Sequence, residues 1–101
     1  EIDNALQRAG IAILLVSPSF LASDFIANDE LPPILKKAEK EGTHIFPIFV
    51  RKISGAVFQR SKLKDFQFLN GPEKPLNGCS ESEIDDYMSK LVDEIIEKMC
   101  L

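Results

Sequence analysis

A chain of 101 residues with 45% hydrophobic content holds one domain at most, with enough apolar mass for a single core, and is too hydrophobic to be disordered. Its net charge of −4 comes from acidic and basic residues interleaved along the whole length, which excludes the clustered Lys/Arg footprint of a nucleic-acid or anionic-membrane binder. The longest apolar run, Ile11 to Val16, is far short of the ~20 residues a bilayer-spanning helix needs, and no cationic signal-peptide start is visible, so the expectation is a soluble, cytoplasmic protein. The two cysteines, Cys79 and Cys100, make neither a disulfide framework nor a metal cluster and fit a reducing cytosol.

In chain order, Ile2, Ala5, Leu6 and Ala9 form one apolar helical stripe over Glu1 to Ala9, ended by Gly10. No cap or turn stands before Glu1, which suggests a helix whose first turns are missing. Ile11 to Val16 is apolar at every position, the pattern of a parallel strand covered on both faces rather than of a half-wet antiparallel one. Ser17-Pro18-Ser19 breaks the strand. A helix follows in which Leu31, Ile34, Leu35 and Ala38 share a face until Gly42, with Pro32 and Pro33 accommodated in its first turn and Ser23 or Asp29 as its cap. Glu30 is thereby placed close to a helix N-terminus.

His44 to Val50 reads as a second buried strand in which Pro47 demands an edge or a bulge. Lys52 to Phe68 mixes helical patches with loop, and Phe66 to Leu69 can form a brief third strand before the turn-rich Asn70-Gly71-Pro72-Glu73-Lys74-Pro75. The C-terminal stretch is plainer: Ile84, Tyr87, Met88, Leu91, Val92, Ile95, Ile96 and Met99 make a continuous helical stripe, with Ser80 and Glu83 at capping-box spacing. The order predicts βαβ crossovers and a doubly wound α/β sheet in one domain. Since Ile11 to Val16 ought to be central but has one obvious partner strand, the reading also expects further strands upstream of Glu1.

In open parallel sheets ligands bind at the carboxyl ends of the strands. The polar residues there are Ser17, Ser19, Ser23, Asp24, Asn28, Asp29 and Glu30 on one side and Arg51 and Lys52 on the other. Capping and turn formation account well for the serines and Asp24. For Glu30 the plain alternative is a solvated first-turn residue favoured by the helix dipole. His44 has no second ligand at metal spacing, so no metal site is expected, and there is no G-x-G-x-x-G, G-x-x-x-x-G-K or G-x-S-x-G motif. The pairs Phe46/Phe49 and Phe66/Phe68 read as core.

The run from Glu1 through Ile11 to Ile26, then Asp29-Glu30-Leu31-Pro32, Ile45 to Arg51, Asp65 to Asn70 and Pro75-Leu76, resembles the bacterial-style Toll/interleukin receptor (TIR) domain over almost the whole chain. The resemblance implies a flavodoxin-like doubly wound parallel sheet, here a partial TIR domain over residues 1–101 that lacks its N-terminal strands. It implies cleavage of NAD+ at the nicotinamide–ribose bond, with NAD+ as substrate rather than cofactor, in signalling or defence. It carries the catalytic carboxylate to Glu30, and substrate contacts to Ser17, Ser23 and Phe25. Because the family pattern Ser-x-aromatic-Cys-x-x-Glu reaches Asp29 from Ser23, with Glu30 one residue later, Asp29 competes for the role. Cleavage passes through an oxocarbenium-like ribose, whose charge a fixed carboxylate stabilises. Two alternatives stand beside it: a non-catalytic module that self-associates with other TIR domains, and an inactive fragment.

Overall fold

The computed structural model describes residues 10–23 and 30–99. The expected helix over Glu1 to Ala9 lies outside them. Within them the chain runs β1 (Ile11–Val16), α1 (Pro18–Leu21), α2 (Leu31–Lys40), β2 (His44–Phe49), α3 (Gly55–Arg60), two 3₁₀ turns (Leu63–Asp65 and Leu76–Gly78) and α4 (Glu81–Met99). β1 and β2 pair in parallel with Ile11 opposite His44 and Val16 opposite Phe49. The mixed α/β architecture and the parallel pairing agree with the all-apolar β1; the sheet has two strands among the described residues.

Alternation along each strand separates two cores. On one face Val16, Leu21, Leu31, Leu35, Phe49, Ile53, Leu63 and Phe66 are buried together, so α1, α2 and the 53–66 segment cover that side. There Phe68 stacks on Phe49 with ring centroids 4.1 Å apart, and Phe58 meets both rings edge-on. On the other face Phe46, Ile48 and Leu69 pack against Leu91 of α4, joined by Tyr87, Met88 and Ile95. Phe46, Phe49 and Phe66 are core residues, as read from the sequence.

The helix ends follow from local chemistry. Pro32 and Pro33 sit in the first turn of α2, where a missing N–H costs no helical bond. At its other end Gly42 has φ +103, while Thr43 N–H donates to the Ala38 carbonyl (2.9 Å) and Gly42 N–H to that of Glu39 (3.1 Å), the paired bonds of a Schellman stop. Before α4 the expected capping box is formed: Glu83 N–H donates to Ser80 Oγ at 3.1 Å, and Ser80 N–H to Glu83 Oε1 at 2.9 Å.

Three expectations need correction. β1 is not covered on both faces: Ile13 is 46% and Leu15 59% exposed. The α4 stripe does not dock as a whole, because Val92, Ile96 and Met99 are exposed while Leu91 is buried. Phe66 to Leu69 is not a strand; Phe66 and Leu69 instead turn their side chains into the two separate cores.

Pro47 is accommodated by direction rather than by a bulge. His44 N–H donates to the Gly10 carbonyl (3.0 Å) and Val50 N–H to that of Val16 (2.9 Å). The even-numbered residues of β2 therefore bond β1, and Ile45, Pro47 and Phe49 turn their backbone groups away from it. Pro47 lacks its N–H on the side where, among the described residues, no strand lies. Its carbonyl accepts from Leu69 N–H at 3.0 Å. Buried Asn70 then stands in for a strand residue: its Oδ1 accepts from Phe49 N–H (2.8 Å), and its Nδ2 donates to the carbonyls of Phe49 (2.9 Å) and Lys74 (3.0 Å).

Candidate functional site

The carboxyl end of β1 passes directly into Ser17, whose extended backbone (φ −146, ψ 169) lets its Oγ accept from Phe20 N–H at 3.2 Å. Ser17 is thus the N-cap of α1, with Pro18 at the first helical position. Its hydroxyl proton remains available as a donor, since capping uses only a lone pair. Ser23 is half-buried just beyond α1, and its N–H donates to the Phe20 carbonyl at 3.1 Å.

Because β1, α2 and β2 are successive elements of a parallel pair, α2 runs back against the strands and presents its N-terminus at their carboxyl ends. Glu30 occupies the position before that helix, with φ −84 and ψ −38 and no side-chain capping bond. The residue is exposed, while Leu31 and Pro32 beside it are buried. Its carboxylate is therefore held at a fixed backbone position by the apolar residues that follow and extends into solvent. The residue preceding α2 is Glu30 rather than Ser23, one of the two caps expected. Asp29 and Phe25, with Asp24 and Asn28, lie outside the described residues.

The far side of this end of the sheet is built by the segment after β2. Asn77 N–H donates to the Val50 carbonyl at 3.0 Å, which with the Asn70 bonds ties the 70–78 loop down beside the end of β2. Arg51 and Lys52 are exposed. The tethering role of Asn70 and Asn77 is not part of the sequence expectation; Asn70-Gly71 opens the turn-rich run there, and nothing in it marks an amide that replaces a strand residue.

Two concave surfaces lie elsewhere among the described residues. One of about 250 Å³, lined by Thr43, His44, Gln67, Lys90 and Glu94 among others, opens at the amino end of β2. A shallower one of about 420 Å³ lies on α4 around Met88 and Val92. Among the described residues, the carboxylate with the most altered acidity is Glu83. Glu83 is held down to about 2 by its hydrogen bond with the Lys74 ammonium and by the Ser80 N–H, and Lys74 is raised in turn. That pair is a helix cap tied to the 70–78 loop. Among the described residues no group of His, Cys, Asp and Glu could hold a metal ion, and no helix is long and apolar enough to cross a membrane.

Comparison of the chain with protein-family models, with curated proteins and with solved structures found no match.

Proposed function

We propose that this is a TIR-type domain of flavodoxin-like topology that hydrolyses NAD+ at the nicotinamide–ribose bond, with Glu30 as the carboxylate facing the ribose. The observation that supports the reading is the position of Glu30, exposed and uncapped at the N-terminus of α2, beyond the carboxyl end of β1. Breakage of the nicotinamide–C1′ bond releases neutral nicotinamide, because the leaving ring already carries the positive charge. Charge then develops on the ribose, where the Glu30 carboxylate stabilises it and accepts hydrogen bonds from the ribose hydroxyls. Water adds to C1′ and loses a proton, giving ADP-ribose. The free hydroxyl proton of Ser17 is a donor for the same region, and Ser23 and Phe25 complete the proposed contacts.

The test is nicotinamide release from NAD+ by the protein carrying this domain. Glu30→Gln keeps size and removes charge; it is expected to lower turnover by about 100-fold or more with unfolding unchanged. Unchanged turnover in Glu30→Gln, with loss in Asp29→Asn, would transfer the role to Asp29. A second reading, an association module without catalysis in signal transduction, draws on the exposed side chains of Ile13 and Leu15.

A further inference from the structure

Asn-Gly, in which no Cβ on the second residue shields its backbone nitrogen from the preceding side-chain amide, occurs twice in the chain, as Asn70-Gly71 and Asn77-Gly78. The fold treats the two differently. At Asn70 the amide itself is locked: it is buried, its Oδ1 accepts from Phe49 N–H (2.8 Å), and its Nδ2 donates to the carbonyls of Phe49 (2.9 Å) and Lys74 (3.0 Å). Releasing that amide leaves two buried backbone groups of β2 unpaired. At Asn77 both residues of the pair are exposed, and the side-chain amide makes no hydrogen bond among the described residues. One bond restrains the neighbouring nitrogen: Gly78 N–H donates to the Pro75 carbonyl at 3.0 Å, inside a 3₁₀ turn of 3 residues at the surface. A short 3₁₀ turn in solvent opens at far lower cost than buried sheet pairing.

We propose that Asn77 is a site of spontaneous deamidation, and that its buried bonds protect Asn70 from the same reaction. When the turn opens, the Gly78 backbone nitrogen gives its proton to water or hydroxide and attacks Cγ of Asn77. The N–Cγ bond forms, the Cγ–Nδ2 bond breaks, and Nδ2 leaves as ammonia after taking a proton from solvent. Water then adds to either carbonyl of the cyclic imide and opens it. One product is aspartate; the other is isoaspartate, in which the main chain continues through the former side chain. Either product adds a negative charge to the loop beside the end of β2. Isoaspartate also inserts a carbon into the main chain between two fixed points, the Asn77 N–H on the Val50 carbonyl and the Ser80–Glu83 capping box of α4. The modification is a slow, one-way change in how this loop enters α4. The inference rests on the surroundings of two amides and does not depend on NAD+ cleavage.

Incubation of the protein carrying this domain in mildly alkaline buffer tests it, with later cleavage after Glu73 placing Asn70 and Asn77 on separate peptides whose masses report conversion. In the folded protein Asn77 is expected to convert at least about 10-fold faster than Asn70, since only Asn70 must first break buried hydrogen bonds. In urea, where both amides are free, the difference is expected to vanish. Gly78→Ala places a Cβ where nothing lies within 4 Å, so it is expected to keep the circular dichroism spectrum. The same Cβ hinders approach of the nitrogen, and most of the conversion at Asn77 is expected to be lost. Conversion of Asn70 at the rate of Asn77 in the folded protein, an Asn77 that stays intact while the urea-unfolded chain converts, or a Gly78→Ala variant that converts as fast would each overturn the proposal.

Discussion

Glu83 shows how much of a helix start can depend on one side chain. Its carboxylate accepts from Ser80 N–H and pairs with the Lys74 ammonium, and this holds its acidity down to about 2 from an ordinary value near 4.5. A carboxyl whose folded value is depressed adds stability above the ordinary value and loses it as pH falls toward the folded one. Thermal unfolding should therefore show the melting temperature dropping between about pH 5 and pH 2. In Glu83→Gln that contribution to the drop should vanish. Gly42 makes a separate residue-level point. A Cβ there meets nothing within 4 Å, so its φ of +103 alone sets the cost of a substitution. Gly42→Ala should destabilise by about 1 kcal/mol in urea titration, from backbone strain without a clash.

At the scale of elements, the readings from sequence succeeded where neighbours in the chain decide the outcome. Ser80 and Glu83 are three residues apart and cap each other; Gly42 ends α2; Pro32 and Pro33 fit a first turn. They failed where distant residues decide. Phe66 to Leu69 has the composition of a strand, yet the Asn70 amide takes the Phe49 backbone groups that a longer strand would have paired. Val92 and Ile96 have the same periodicity as Leu91 and Ile95, and only the width of the surface under α4 separates docked from exposed. The candidate site divides in the same way. The placement of Glu30 at a helix N-terminus was legible from the prolines after it; the capping use of Ser17, held by Phe20, was one of two readings the residue types allowed. The amide of Asn70 is the most exacting of the nonlocal contacts. Asn70→Ala would leave the Phe49 N–H and C=O unpaired in a buried setting, and should cost about 2–4 kcal/mol by chemical denaturation.

At the scale of the whole molecule, two cores lie on opposite faces of one small sheet, and they are unequal. The first is closed by α1, α2 and the aromatic trio Phe49, Phe58 and Phe68. The second is closed over β2 by α4 and left open over β1. Truncating each core tests this asymmetry. Leu35, fully buried under the first, should cost about 2–5 kcal/mol as Leu35→Ala. Ile13→Ala should cost the monomer well under 1.5 kcal/mol, because nearly half of that side chain is already in water. Equal losses at the two sites, measured in urea under monomeric conditions, would contradict the description of β1 as open.

The Asn70 amide carries one more consequence. Regarded as a polymer, a β-sheet grows from its edges, and a chain with two live edges can add copies without limit. Here Asn70 and the Leu69 N–H occupy most of one edge, and that end is spent. Among the described residues, growth of the sheet beyond β2 is therefore blocked, whatever lies beyond β1. Asn70 is in this sense a chain stopper on the β2 side of the sheet.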